Sequence, residues 1–401
     1  MGFPLDRYLQ KLSDCNGTDL HISAGTVPKF RIHGKLHPVP DEAAWESARV
    51  EELLVPMLDE RRRGIFLERR DLDWAYSLPG VARFRVNYFV QHRGMGAVFR
   101  LIPRVIRSCK ELGVPEVIES YAHLRNGLIL CTGPTGSGKS TTLAAIVDYI
   151  NRNFHKHIIT IEEPIEYVHD NKRSFITQRE VGEEAESFAT ALRAATRQDP
   201  DVILVGELRD LETIGLAITA AELGALVFAT LHTNSAAKTI DRIIDVFPES
   251  QQNQVRTMLS VALKGVIAQL LIPTRDGAGR VPVNEILLWS FSLGNMIREG
   301  AVYKIVSLIE AGRGEGMQLM DDSIMVRYKA GLIDARSAHL WACLLYTSDA
   351  ADALLCVDLG GCRFIKKKTN TGCIQGAVLA TANNNVGMGD AGITSTLHSS
   401  P

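Results

Sequence analysis

The stretch "GLILCTGPTGSGKSTTLAAIVDYI", residues 127–150, decides the fold class of this chain. It joins an apolar segment, a glycine-rich turn and a segment whose apolar residues recur three, four and seven positions after Leu143, which is helical spacing. The turn at residues 133–140 reads G-x-x-x-x-G-K-S, a complete phosphate-binding loop. Such a loop requires a strand before it and a helix after it. Both are present, so the stretch predicts a nucleotide-binding α/β core.

The side chains of the loop have separate expected roles. Its glycines let the backbone curl so that successive N–H groups point at the phosphates, and the helix N-terminus adds its positive end. Lys139 can reach the β- and γ-phosphates, and the Ser140 hydroxyl can ligate Mg²⁺. A glycine-rich turn without a ligand is the alternative, which the flanking strand and helix disfavour. We therefore expect ATP and Mg²⁺ to bind at Gly133, Pro134, Thr135, Gly136, Ser137, Gly138, Lys139, Ser140 and Thr141.

Three further apolar segments follow the loop: "HIITIEE" (157–163), "DVILVGE" (201–207) and "ALVFATLH" (225–232). Their runs of β-branched and aliphatic residues are typical of parallel strands that are covered on both faces. Together with the strand before the loop they indicate a doubly wound α/β core. Ligands of such sheets bind at the carboxyl ends of the strands. Those strand ends are therefore where catalytic residues are expected.

Polar residues end two of these strands. Glu207 is the only carboxylate at the end of its strand, because Gly206 occupies the position where many nucleotide hydrolases place a metal-binding Asp. We expect Glu207 to act as the general base or to position the attacking water; the alternative is an N-terminal charge of the following helix. His232 ends another strand and could sense the γ-phosphate. Its alternative role is purely structural.

A cluster of three carboxylates, Glu162, Glu163 and Glu166, lies at the end of the strand "HIITIEE". Pro164 ends that strand, so the chain can turn and bring Glu166 back towards the nucleotide. Several acids at one strand end repel each other unless a cation lies between them, and Mg²⁺ supplies that cation. A solvated acidic loop is the alternative.

The chain divides into segments with different patterns. Residues 1–104 combine helical segments with alternating strands and predict a small α+β domain. Residues 105–115 have no clean period and form the expected linker, and residues 116–340 form the expected ATPase domain. Residues 341–401 have no sustained period and are rich in Ala, Thr, Asn and Gly. We predict that this tail is foreign or frame-shifted sequence, with a genuine flexible tail as the alternative.

The composition narrows the function classes. The chain has 401 residues, 46% hydrophobic and 22% charged, as expected for two globular domains. A formal net charge of −2 argues against a dedicated nucleic-acid binder. No apolar run approaches the roughly 18 residues of a membrane span, and the first residues lack the apolar segment of a signal peptide. The seven cysteines form no C-x-x-C pair, so we expect no zinc knuckle. Together with the charge and the apolar runs, this predicts a cytosolic protein that binds no nucleic acid and has no segment inserted in a membrane.

In this order, the motifs resemble the secretion-ATPase superfamily, and most closely the type IV pilus retraction ATPases of twitching motility. The resemblance covers about residues 8–340 and is far more specific than the phosphate loop alone. The implied activity is ATP hydrolysis that drives pilus disassembly. The segments that carry it are "DLHISAG", "GVARFRVN", "AVFRLIP", "GPTGSGKSTTLAAI", "TIEEPIEYVH", "DPDVILVGELRDLETI", "ATLHTNSAAKTIDRIIDVFP", "NMIREG" and "GMQLMDDS".

The resemblance implies a RecA-like P-loop NTPase core and a smaller N-terminal PAS-like α+β domain, with the nucleotide between them. It also implies a cytoplasmic homohexamer at the inner face of the cytoplasmic membrane, with an inner-membrane pilus platform protein as its partner. The roles that carry over are phosphate and Mg²⁺ binding for Lys139 and Ser140, the acidic box for Glu166, the catalytic glutamate for Glu207 and the His box for His232.

Three arginines of N-terminal strands, Arg83, Arg85 and Arg100, match the positions from which the family's N-terminal domain reaches the nucleotide. An arginine finger typically accelerates phosphoryl transfer by roughly 10³ to 10⁵. Ordinary solvated strand charges are the alternative. Arg298 and Glu299, in the segment "MIRE", resemble a family motif that is implicated in retraction rather than in hydrolysis.

The chain departs from the family pattern in the His box, where Ala225 stands at the usual place of a first histidine. Gly215 lies within a predicted helix, at a cost of about 1 kcal/mol relative to Ala. The alternatives within the superfamily are an accessory retraction ATPase and a pilus-extension or type II secretion ATPase, whose tetracysteine segment this sequence lacks. The alternatives outside it are a RecA-like DNA translocase and a non-catalytic nucleotide-binding adaptor.

Overall fold

A computed structural model describes residues 2–32, 34–102, 105–277, 279–347, 357–358 and 363–364. The described residues up to 347 belong to one compact unit, and residues 357–358 and 363–364 belong to a second one. The first unit contains two sheets with separate hydrophobic cores. Most of the tail that the sequence predicts to be foreign lies outside the described residues.

The first sheet has six antiparallel strands in the order β3-β2-β1-β6-β5-β4. A 3₁₀ turn at Pro56, which lacks a backbone donor, separates the helix at Ser47–Leu54 from the helix at Glu60–Arg69. The elements are α1 (Asp6–Asp14), β1 (Asp19–Ser23), β2 (Lys29–Ile32), β3 (Lys35–Pro38), α2 (Ser47–Leu54), α3 (Glu60–Arg69), β4 (Asp71–Leu78), β5 (Ala82–Gln91) and β6 (Gly94–Ile102).

One face of this sheet carries the core of the N-terminal domain. Phe84, Val86 and Tyr88 of β5 are fully buried, whereas the residues between them are only partly buried. Because side chains alternate along a strand, Arg83 and Arg85 share the opposite face. The predicted arginines of β5 therefore stand outside the domain's own core.

The segment predicted to be an irregular linker is partly helical. Helix α4 (Cys109–Leu112) begins with a capping box between Ser108 and Glu111 and ends at Gly113, whose φ is +70°. Helix α5 (Glu116–Ser120) follows at once. The absence of hydrophobic periodicity hid these short helices, because their ends are set by capping.

The second sheet has seven strands in the order β13-β12-β7-β11-β10-β8-β9, all parallel except β13. The four strands predicted from sequence are β7, β8, β10 and β11, and three more were not predicted. The elements are β7 (Gly127–Thr132), α6 (Lys139–Asn153), β8 (His157–Glu162), β9 (Phe175–Glu180), α7 (Phe188–Ala195), β10 (Val202–Val205), α8 (Leu211–Glu222), β11 (Leu226–Leu231), α9 (Ala236–Asp245), α10 (Glu249–Ala262), β12 (Leu263–Pro273) and β13 (Arg280–Leu288).

Both faces of this sheet are covered. Leu128 and Leu130 of β7 belong to one hydrophobic cluster, and Ile129 and Cys131 belong to another on the opposite face. All six residues of β7 are buried. This confirms the predicted α/β class, and it directs the phosphate loop to the carboxyl edge of the sheet.

Four helices follow the second sheet: α11 (Phe291–Glu299), α12 (Ile305–Ala311), α13 (Met320–Lys329) and α14 (Ala335–Thr347). Helix α14 continues past the predicted boundary at residue 340, and Ala342 is buried. In the second unit, β14 (Val357–Asp358) and β15 (Arg363–Phe364) pair antiparallel. Within the described ranges, no helix combines the length and apolarity of a membrane span.

Candidate active site

The phosphate loop lies between β7 and α6, and its glycines are required by its shape. Gly133, Gly136 and Gly138 have φ angles of +145°, +79° and +84°, which L side chains rarely adopt. A Cβ on Gly133 would also lie 2.2 Å from the carbonyl oxygen of Gln269. The sequence motif therefore corresponds to a backbone arc that other residues could not form.

Lys139 occupies the inside of this arc. Its Nζ donates hydrogen bonds to the carbonyl oxygens of Gly133, at 2.6 Å, and Pro134, at 3.1 Å. Burial lowers the pKa of Lys139, while the charges of Glu207 and Glu166 oppose this shift. The ammonium is thus held by loop carbonyls that it can exchange for phosphate oxygens.

A cleft of about 300 Å³ opens beside the loop, at the carboxyl ends of β8, β10 and β11. It brings together most of the predicted site residues. The residues that line it include Thr135, Lys139, Ser140, Glu162, Glu163, Glu166, Glu207, His232 and Arg85. Residues from four separate segments of the ATPase domain and one N-terminal strand therefore converge on one space.

The Glu207 carboxylate lies between the imidazole of His232 and the guanidinium of Arg209. Its Oε1 lies 3.2 Å from Nε2 of His232, and its Oε2 lies 2.9 Å from Nε of Arg209. Arg209 also contacts Oε2 of Glu163 at 2.8 Å. Sequence reasoning missed Arg209, although its position two residues after Glu207 in "GELRD" was a usable signal. These contacts orient the Glu207 carboxylate within the cleft.

The predicted acidic cluster divides into one buried carboxyl and two that line the cleft more openly. Glu162 accepts hydrogen bonds from Oγ1 of Thr160, at 2.7 Å, and from the backbone N–H of Glu166, at 3.3 Å. Burial raises the pKa of Glu162 to about 7. Glu162 therefore supports the turn that carries Glu166, whereas Glu163 and Glu166 face the cleft.

The three predicted arginines have three different positions. Arg83 forms an ion pair with Glu180 of the ATPase domain, and Arg85 lines the cleft. Arg100 lies outside the cleft lining, and its Nε contacts Oδ1 of Asp19 at 2.8 Å. Arg85 alone of the three is placed to reach a nucleotide bound within the same chain.

Contacts between the two domains lead to the site. Nη2 of Arg62 lies 2.7 Å from Oε1 of Glu183. Glu180, which binds Arg83, also accepts a hydrogen bond from the backbone N–H of Ile165 at 3.1 Å, in the loop after β8. The N-terminal domain is thereby connected to the turn that carries the acidic cluster.

A second cleft of about 300 Å³ lies on the other side of the loop. Gly138, Thr141 and Thr142 form one wall of it. Sequence reasoning missed its remaining walls, because β12, β13 and the linker have no recognisable nucleotide motif. These walls include Arg107, Leu112, Val114, Gln269, Leu271 and Arg280.

Arg298 of the predicted retraction motif lies away from both clefts. It is on α11, and its Nη1 donates to Oγ of Ser260, on α10, at 2.9 Å. Arg298 therefore contacts α10 and does not line either cleft.

Comparisons with known proteins agree with this geometry. A family model described as type II/IV secretion system protein matches residues 20–306. The chain is 48% identical over 322 residues to the type IV pilus retraction ATPase PilT of Pseudomonas aeruginosa, covering 80% of this chain and 93% of that protein. It is 49% identical over 315 residues to a twitching motility protein of Neisseria gonorrhoeae, covering 78% and 83%.

The fold is similar to that of a solved motor protein. The crystal structure of the pilus retraction motor PilT with bound ADP matches with a TM-score of 0.78 at 43% identity, covering 84% of this chain and 96% of that one. A second family model, described as Microvirus H protein (pilot protein), matches residues 359–401. The secretion system model and the Microvirus H model therefore match separate parts of the chain.

Proposed function

We propose that this chain, which belongs to the type II/IV secretion system protein family, hydrolyses ATP to power the retraction of type IV pili. The observation that carries the proposal is the convergence of Lys139, Glu207 and His232 on one cleft beside the phosphate loop. The identity of nearly half of the residues to a pilus retraction ATPase over most of the chain supports the same function.

Hydrolysis would use groups that already stand in place. The loop N–H groups and Lys139 bind the phosphates, with Lys139 leaving the carbonyls of Gly133 and Pro134. Glu207, oriented by His232 and Arg209, positions a water in line with the γ-phosphate and accepts its proton. The ammonium group of Lys139 stabilises the transition state, because negative charge spreads over the oxygens of the transferred phosphate.

Mg²⁺ fits the donors of this cleft. Ser140 and the carboxylates of Glu163 and Glu166 offer oxygen atoms, which hard cations prefer. The described residues contain no preformed cluster of three or more metal-binding side chains, so the ion would bind mainly through phosphate oxygens and Ser140. When bound, it would neutralise charge on the β- and γ-phosphates.

The second cleft is suited to the nucleoside. Its walls combine apolar side chains of Leu112, Val114 and Leu271 with cationic Arg107 and Arg280, and it adjoins the loop.

We also propose the assembly that family membership suggests: a homohexamer in the cytoplasm, at the inner face of the cytoplasmic membrane. Its partner would be an inner-membrane pilus platform protein, and nucleic acid would have no role.

The enzymatic half of the proposal is tested with Glu207→Gln. We expect kcat for ATP to fall by roughly 10² to 10⁴, because the variant cannot accept the proton, while the Kd for ADP stays within about threefold. Glu222→Gln, an exposed carboxylate at the end of α8, is the control and should keep full turnover. Wild-type kcat in Glu207→Gln would remove Glu207 from the mechanism.

The cellular half is tested in a strain that lacks its own retraction ATPase. The wild-type chain should restore surface motility, and Glu207→Gln should leave cells with excess unretracted pili. If expression of Glu207→Gln instead produces bald cells, the chain acts in pilus extension and the retraction proposal is wrong.

A further inference from the structure

Two buried carboxamides lie behind the phosphate loop, on the side away from the cleft of Glu207. Gln269 belongs to β12, which pairs with β7, and the residue is 2% exposed. Asn284, its neighbour on β13, is fully buried. Buried amides are costly unless they are hydrogen-bonded, so their partners indicate why they are there.

The Gln269 side chain joins two points of the phosphate-binding segment. Its Nε2 donates to the carbonyl oxygen of Ser137 at 2.8 Å, and its Oε1 accepts from Oγ1 of Thr142 at 2.9 Å. Ser137 directly precedes Gly138, and Thr142 lies in the first turn of α6. One side chain therefore fixes the arc of the loop from outside.

Asn284 fixes the orientation of the Gln269 amide. Its Nδ2 donates to Oε1 of Gln269 at 3.0 Å. The Ser137 carbonyl can only accept, so Gln269 must turn its nitrogen towards Ser137 and its oxygen towards Asn284 and Thr142. The reverse orientation would place two oxygens against each other.

The same network reaches the C-terminal segment "GMQLMDDS", residues 316–323. The backbone N–H of Asn284 donates to Oγ of Ser323 at 3.0 Å, and its carbonyl accepts from Nε2 of Gln318 at 2.7 Å. These contacts attach β13 to the start of α13. They give this segment a structural link to the phosphate loop that its sequence alone did not suggest.

We propose that Gln269 is a positioning residue that sets the shape of the phosphate loop, and that Asn284 holds its amide in the required orientation. The proposal rests on the proposed function, in which the loop binds nucleotide. Because the peptide unit is planar, a Ser137 carbonyl held towards Gln269 forces the N–H of Gly138 in the opposite direction, into the arc. Releasing that carbonyl would let the peptide rotate and remove one phosphate donor.

The test measures ADP affinity, which does not depend on turnover. Gln269→Met keeps the length of the side chain but has no donor, and its Kd for ADP should rise about tenfold or more. Asn151→Leu is the matched control, because Asn151 is a fully buried carboxamide at the far end of α6 that bridges Asp170 and Lys172. It should lower thermal stability and leave the Kd unchanged.

A second variant provides a readout that a merely structural role would not change. In Gln269→Glu, a protonated carboxyl can donate to the Ser137 carbonyl, whereas a carboxylate cannot. Its ADP affinity relative to wild type should therefore be higher at pH 6 than at pH 8.5. Measuring the ratio to wild type at each pH removes the titration of the nucleotide itself.

Two results would overturn the proposal. One is a folded Gln269→Met that binds ADP within twofold of wild type. If that variant does not fold, the other is a Gln269→Glu variant whose relative affinity is the same at both pH values. Failure of the wild-type chain to bind ADP would instead reject the proposed function, so the two failures are distinguishable.

Discussion

In the phosphate loop, the glycines and Lys139 make their contacts within the loop itself, and Gln269 supports the loop from behind. Arg83 and Arg100, in contrast, are positioned by partners far away in the sequence. The glycine φ angles and the carbonyl contacts of Lys139 all arise within residues 133–139. The arginines share one sheet and similar sequence contexts, yet only Arg85 lines the cleft. Local geometry is therefore readable from a motif, while the position of a long cationic side chain depends on its partners.

The cross-strand register explains why Arg100 and Arg85 differ. Arg85, Arg100, Asp19 and Arg31 lie directly opposite one another on four adjacent strands. The Asp19 side chain is buried; burial alone would raise its pKa, but the hydrogen bonds from Arg100 and Thr18 outweigh this and lower it. Asp19 thus holds Arg100, and Arg85, next to a like charge, is directed to the cleft.

The largest expected effect on nucleotide affinity tests the local side of this comparison. Lys139→Ala should weaken ADP binding by at least about a hundredfold, near 3 kcal/mol, because a buried charged donor to the phosphates is lost. Lys156→Ala is the control, since Lys156 pairs with Asp201 at 2.8 Å, at the opposite end of the strands. Calorimetry that shows equal affinity in the two variants would remove the loop from the mechanism.

The next prediction concerns turnover and tests the arginines, whose positions depend on tertiary contacts. Arg85→Gln should lower kcat by roughly 10³ if Arg85 acts as an arginine finger on the transferred phosphate. Arg100→Gln should leave kcat within about twofold and lower the free energy of unfolding, because buried Asp19 loses one partner. Steady-state turnover and urea unfolding of both variants check this. A similar loss of kcat in both would mean that Arg100 reaches a nucleotide in another copy of the chain.

The sequence predicted the parts of the site that short-range rules control. The loop, the strand that carries Glu207 and the strand that ends at His232 are specified by motifs and by apolar runs, and the α/β class is confirmed. Gln269 and Arg280 were not found, because β12 and β13 have no motif and their roles come from pairing beside β7. Their contribution depends on long-range topology.

The tail is a different case. The prediction that residues 341–401 are foreign remains a prediction, and the match of residues 359–401 to a Microvirus H protein model supports it. Helix α14 crosses residue 340 and extends to Thr347, so the secondary structure does not mark the predicted boundary. Composition predicts a change of sequence pattern near residue 340, but it does not predict that one helix continues across that position.

Glu162 and His169, two buried titratable residues, should make the free energy of unfolding depend on pH, and these effects are of moderate size. Burial raises the pKa of Glu162 to about 7 and lowers that of His169 to about 4, from ordinary values of 4.5 and 6.5. Between about pH 4.5 and 7 the folded chain retains a proton on Glu162 that the unfolded chain has lost, so stability falls as pH rises. Between about pH 4 and 6.5 the unfolded chain binds a proton on His169 that the folded chain does not, so stability rises.

These opposite slopes should offset each other in the wild type. Glu162→Gln should therefore be stabilised as pH rises from about 4 to 6.5, and His169→Gln should be destabilised as pH rises from about 4.5 to 7, each on the order of 3 kcal/mol. Urea unfolding of the three proteins across this pH range measures the slopes. Parallel curves would show that neither group retains its shifted pKa.

The smallest expected effect returns to a purely local rule. Gly215 lies inside α8, and Gly215→Ala should raise the free energy of unfolding by about 0.5–1 kcal/mol through helix propensity. The added Cβ would have Phe247 as its nearest neighbour at 4.0 Å, an ordinary contact. Gly206→Ala is the opposite control, because its Cβ would lie 3.2 Å from the Ile161 carbonyl and should destabilise the chain. Urea unfolding of both variants measures these changes. If Gly215→Ala is also destabilised, Gly215 is needed for close packing against a surface outside this chain. Such a contact would then outweigh the helix propensity of the residue.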